Sequence, residues 1–91
     1  MFACKAAPIT ASCFKSTRSQ CTSTVASYFT NLGCTVGQVT CAGNPPPPGA
    51  AGNYQCSVES PTCTPLNAQG ACPDGTTRVG ALGMFACRPG G

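Results

Sequence analysis

Nine cysteines in a chain of 91 residues constrain the folding of this protein more than any other feature. A chain so short buries a modest share of its surface and needs covalent, metal or partner help to hold one structure. Cysteine at this density is the mark of a disulfide scaffold. The spacings decide between disulfides and metal. They run C-x8-C-x7-C-x12-C-x6-C-x14-C-x6-C-x8-C-x14-C, with no interval shorter than six residues. Zinc and iron–sulfur sites hold two thiolates on one ion through a short C-x2-C bite, which this pattern lacks. The chain has no histidine, which removes Cys2His2 sites and C-x-x-C-H haem attachment. Cys4, Cys13, Cys21, Cys34, Cys41, Cys56, Cys63, Cys72 and Cys87 are therefore read as disulfide cysteines, with no metal and no cofactor expected. Persistent disulfides need an oxidising compartment, so the expected location is extracellular or on a cell surface.

Nine is an odd number, and eight half-cystines already admit on the order of a hundred pairings. The spacing selects none of them. The odd cysteine leaves three readings open: a bond to another molecule, a free buried thiol, or a chain cut from a longer repeat protein.

Charge is the second constraint. The charged residues are Lys5, Lys15, Arg18, Glu59, Asp74, Arg78 and Arg88, and none lies between Arg18 and Glu59. Soluble monomers carry far more charge, which keeps them apart. A neutral surface rich in Ser, Thr, Ala and Gly points to self-association as homo-oligomer or polymer, or to a coat of O-linked glycans. A net charge of +3, so dispersed, is no nucleic-acid footprint. No segment is apolar enough for a membrane span. Residues 1–20 lack the apolar run of about ten residues that a signal peptide requires, so a mature form or a fragment is expected.

Self-comparison finds a quasi-repeat. Segment 41–56 aligns without gaps on 72–87, sharing C-x7-G-A-x-G-x-[YF]-x-C through Cys41, Gly49, Ala50, Gly52, Tyr54 and Cys56 against Cys72, Gly80, Ala81, Gly83, Phe85 and Cys87. The tail of this motif stands at the N-terminus as Met1-Phe2-Ala3-Cys4 and again as Met84-Phe85-Ala86-Cys87. In a strand, residues i and i+2 face the same way, so aromatic-x-Cys sets a ring beside a half-cystine. Phe2, Tyr54 and Phe85 are accordingly the candidate aromatic contacts. The glycines ahead of them suit a bend or a close backbone approach. Pro73-Asp74-Gly75-Thr76 reads as a turn, and Pro45 to Pro48 as a short polyproline II stretch. Both segments are read as hairpin-like units.

Elsewhere, Val25, Phe29 and Leu32 recur at helical spacing, with Ser or Thr available ahead of them as a cap and Gly33 as a stop. Residues 35–41 alternate as a strand does. The expected fold is a single disulfide-rich domain over 1–91, mostly short β-strands and loops with one short helix near 22–32.

Catalytic groups are scarce. Without histidine, and with Glu59 and Asp74 the only carboxylates, neither a Ser-His-Asp nor a Cys-His arrangement can be built. A glycosidase pair would need the fold to bring the two carboxylates together. No enzyme is expected. The leading expectation is a structural subunit of an extracellular or surface assembly (a filament, coat or wall layer), with an intermolecular disulfide as one means of linkage. The alternative is a soluble secreted binding protein: a carbohydrate-binding module, an effector, or a protease inhibitor presenting Arg78.

Overall fold

The computed structural model describes residues 7–81 and 84–90. It is a small, disulfide-rich fold of mostly short strands and loops with one helix. The elements in chain order are β1 (Ile9–Cys13), α1 (Arg18–Asn31), β2 (Val39–Ala42), β3 (Tyr54–Val58), β4 (Thr76–Ala81) and β5 (Met84–Pro89).

β1, β3 and β2 form an antiparallel sheet in that spatial order. Its register makes the core. Ile9 lies opposite Val58, Ala11 opposite Cys56 and Cys13 opposite Tyr54, while Cys41 and Val39 flank Cys56 and Val58 from β2. Because side chains alternate across a strand, these residues share one face. All of them are buried except Val39, which is half-buried.

α1 covers this face with Cys21, Val25 and Phe29. The helix begins four residues before its expected start, and the reason is local. Thr17 caps it, accepting from the Gln20 backbone N at 3.1 Å while Gln20 Oε1 accepts from the Thr17 N at 3.2 Å. This reciprocal box satisfies two of the N–H groups that open a helix without partners. Threonines inside the helix are accommodated through their own hydrogen bonds. Thr22 and Thr30 donate their hydroxyls to the carbonyls of Arg18 and Ala26, one turn back. The helix closes at Leu32, ahead of Gly33. Residues 35–38 precede β2 instead of belonging to it, although Gly37 N and Gln38 O extend its pairing with β3 through the backbone of Glu59.

β4 and β5 form a separate antiparallel hairpin. Four connections dock it on the first unit or on the loop after it. Ala86 enters the core, and Met84 and Val79 pack against it. Thr64 exchanges backbone hydrogen bonds with Cys87 on the opposite side of β5. Tyr28 of α1 reaches the hairpin end, where its hydroxyl accepts from Ala81 N at 2.9 Å and lies 3.0 Å from Met84 O. Gly80, at φ 108°, belongs to this junction: a Cβ there would run into the Met84 carbonyl and lie 3.1 Å from the Tyr28 hydroxyl.

Four disulfides join Cys13–Cys21, Cys34–Cys63, Cys41–Cys56 and Cys72–Cys87. The first ties the end of β1 to the first turn of α1. The second ties the chain after α1 to the chain after β3. The other two each close one of the repeated segments on itself.

Candidate functional site

The face of the sheet turned away from α1 presents Thr10 and Ser12 from β1, Gln55 and Ser57 from β3, and Thr40 and Ala42 from β2. The register lines them up in two rows, Thr10–Ser57–Thr40 and Ser12–Gln55–Ala42. Five of the six are exposed and Ser12 is half-buried. Ser12 Oγ donates to Gln55 Oε1 across the strands at 3.2 Å. No side chain on this face is charged. β1 and β2, which end the sheet, carry neither charge nor proline. These are the devices that ordinarily discourage pairing between sheet edges of different molecules.

The solvent side of α1 is of the same kind. After Arg18 its exposed residues are Ser19, Gln20, Ser23, Thr24, Ser27, Thr30 and Asn31, all neutral. The long uncharged stretch of the sequence thus supplies the outward face of α1 and, together with Thr10 and Ser12 of β1, the outward face of the sheet on the other side of the core.

Among the described residues, Phe14 is the large hydrophobic side chain left in solvent, at 65% exposure. It follows β1 directly and borders a groove of about 290 Å³ lined by Ser12, Cys13, Phe14, Lys15, Thr24, Val25 and Met84. Three of the other four described aromatics, Tyr28, Phe29 and Tyr54, serve the interior. Phe29 and Tyr54 are fully buried, and Tyr28 meets Phe29 edge-on with ring centroids 5.1 Å apart. Tyr54 also holds its hydroxyl 3.4 Å from the Ser16 carbonyl. An exposed row of rings, of the kind that stacks on sugar, is not formed among the described residues.

The aromatic contacts expected from the motif separate. Tyr54 and Cys56 do share the buried face of β3. Phe85 is half-buried, beneath the Arg78 guanidinium, whose carbon lies 5.1 Å from the ring centroid. Phe2 lies outside the described residues, as does Cys4. The other eight cysteines are consumed in pairs, so any bridge made by Cys4 joins it to a thiol outside this set. The gapless alignment already sets the end cysteines of both repeats at the same separation of 15 residues, and that is the signal, left unused, that each repeat closes on itself. Sequence reasoning missed Tyr28, whose clasp on the hairpin depends on positions 53 and 56 residues away.

Glu59 stands just beyond β3, and Asp74 lies in the turn where Thr76 N bonds to Pro73 O. Arg78 sits inside β4, opposite Cys87, where an inhibitor would need it on an exposed loop. Among the described residues, no group of three or more His, Cys, Asp or Glu side chains is arranged to hold a metal ion. None of the described helices is long and apolar enough to cross a membrane. Four disulfides are compatible with a secreted or extracellular protein. No family model matches the chain, and neither does any curated protein or solved structure.

Proposed function

We propose that this protein is a structural subunit of an extracellular or surface assembly, built by self-association and hardened by its disulfides. The observation that carries the reading is the neutral outer face of the β1-β3-β2 sheet, ending in strands without charge or proline. A solvated sheet face of a monomeric protein normally interleaves Lys and Glu, whose hydration and repulsion oppose stacking. Here Ser, Thr and Gln offer hydrogen bonds to a second copy without the cost of desolvating charge. Cys4 is in keeping with the same reading, because the other eight cysteines pair among themselves and a bridge at Cys4 would have to reach a thiol outside that set. O-linked glycans on the exposed Ser and Thr residues would compete with such stacking. An unglycosylated surface is therefore part of the proposal for the sheet face.

Light scattering over a wide concentration range tests it, together with electrophoresis with and without reductant. The expected result is a particle mass that rises with concentration and a reductant-sensitive dimer or ladder. A strictly monomeric mass at high concentration would sink the structural reading. It would leave the secreted binding protein, for which the Phe14 groove is the surface to examine.

A further inference from the structure

The tetraproline loop between β2 and β3 is absorbed neither by the core nor by the assembly surface. Cys41 and Cys56 lie directly opposite one another in the β2–β3 ladder and are disulfide-bonded, so the loop leaves and re-enters the sheet through one fixed base. Each residue that precedes a proline is confined to extended or polyproline II geometry, and each proline has its own φ set near −65°. Asn44, Pro45, Pro46 and Pro47 all precede a proline, so they are held extended by covalent structure alone.

The stretch ends in a turn. Ala50 N donates to Pro47 O at 3.1 Å, and Gly49 has φ 83°. Proline at the second position and a left-handed glycine at the third define a type II turn, which places Pro48 at its leading corner. Pro45, Pro47, Pro48 and Gly49 are exposed and Pro46 half-buried. A Cβ built at Gly49 would meet nothing within 4 Å, so the corner stands clear of the rest of the protein.

A rigid polyproline II segment followed by X-Pro-Gly is the form in which collagen-like chains carry 4-hydroxyproline, on the proline preceding glycine. We propose that Pro48 is a hydroxylation site for a 2-oxo-acid-dependent prolyl 4-hydroxylase. The reaction takes dioxygen and 2-oxoglutarate as co-reactants. One oxygen atom enters the Cγ–H bond of Pro48, whose hydrogen ends on the new hydroxyl. The other oxygen enters 2-oxoglutarate, which loses carbon dioxide and becomes succinate. The two two-electron oxidations, of the C–H bond and of the oxo acid, together supply the four electrons that reduce dioxygen. The disulfides suit a secretory compartment where such chemistry meets proline-rich chains. This inference does not depend on the assembly reading.

The chain supplies its own comparison. Pro89 is also followed by glycine, but it lies in β5 opposite Thr76 instead of at a free corner. The oxidised full chain is incubated with a procollagen-type prolyl 4-hydroxylase, Fe(II), 2-oxoglutarate, ascorbate and air, then digested and mapped by mass spectrometry. The expected result is the added mass of one oxygen atom on Pro48, with Pro89 unmodified. In Gly49→Ala, which disfavours the turn, conversion should fall several-fold while the circular dichroism of the fold is retained. The proposal fails if Pro48 stays unmodified while a Pro-Pro-Gly repeat peptide is converted in the same mixture. It fails equally if Pro48 reacts only after reduction of the disulfides, or if Pro89 reacts as fast.

Discussion

Replacing Cys34 and Cys63 together by Ala opens the bridge that spans the largest number of residues, 29. In the chain-entropy account, a disulfide stabilises by denying conformations to the unfolded chain, and its contribution grows with the logarithm of the loop it closes. Taken alone, a loop of that length corresponds to about 3.6 kcal/mol. The Cys41–Cys56 bridge lies inside it, however, and already removes the middle of the loop. Six residues remain between Cys34 and Cys41, and six between Cys56 and Cys63. The effective loop is then about 15 residues, and the cost of opening it about 3.0 kcal/mol. For a domain of this size that is a fall in Tm of about 12–24 °C. Thermal melts followed by far-ultraviolet circular dichroism, without reductant, measure it. The same account ranks the bridges, because Cys13–Cys21 closes a span of 8 and should cost only about 2.5 kcal/mol. It also sets a coupling: removing Cys34–Cys63 and Cys41–Cys56 together should exceed the sum of the two separate losses by about 0.6 kcal/mol. A Tm within about 4 °C of the parent for the Cys34/Cys63 variant would refute the reasoning, because it would mean a loss below about 1 kcal/mol.

Tyr28→Phe deletes the hydroxyl that receives Ala81 N and leaves that N–H without its partner at the hairpin end. Because Ala81 is exposed and water can take the vacated place, it should cost about 0.5–1.5 kcal/mol, with hydrogen exchange at Ala81 accelerating before that at Ser57 in the sheet. Thr17→Ala removes one half of the capping box and should cost about 1 kcal/mol in a urea titration, with an unchanged m-value. Ser57→Lys places a charge at the centre of the neutral sheet face. Its fold stability should shift by less than about 0.5 kcal/mol, while the concentration-dependent rise in particle mass is suppressed. An unchanged scattering profile would move the contact surface elsewhere.

Much of the architecture was legible because it is written in short-range chemistry. Val25 and Phe29 announced the buried stripe of α1, Gly33 its end, and Tyr54-x-Cys56 the inward face of β3. The start of the helix at Arg18 is faint in the sequence, because the apolar stripe thins out toward Cys21 and the signal passes to the Thr17–Gln20 box. β1 is faint for a related reason. Ile-Thr-Ala-Ser-Cys alternates only faintly in polarity, and it becomes a strand by lying along β3. The neutral site face was half legible: the absence of charge was plain, its division into two outward faces was not.

The offset of 31 residues between the repeated segments shows most clearly where local pattern stops. Both segments end in cysteines that pair with each other. In the second, residues 76–81 form β4; in the first, the equivalent positions hold four prolines, which cannot donate to a ladder, and form the exposed loop. Shared glycines also diverge in purpose, with Gly49 turning a corner in water while its counterpart Gly80 lies against Tyr28 and the Met84 carbonyl.

By itself, then, the sequence determined the class of object: a disulfide-held, charge-poor domain of short strands with one helix and without histidine chemistry. Composition and spacing suffice for that, because they bound how a short chain can be stabilised and which groups it can present. Only the tertiary structure decided which cysteines meet, which face of the sheet stays in water, and that Tyr28 joins the two units. Those outcomes depend on strand register and on contacts between residues far apart in the chain. Pairings of that kind are selected by closing the whole core at once, and no local run of residues carries them.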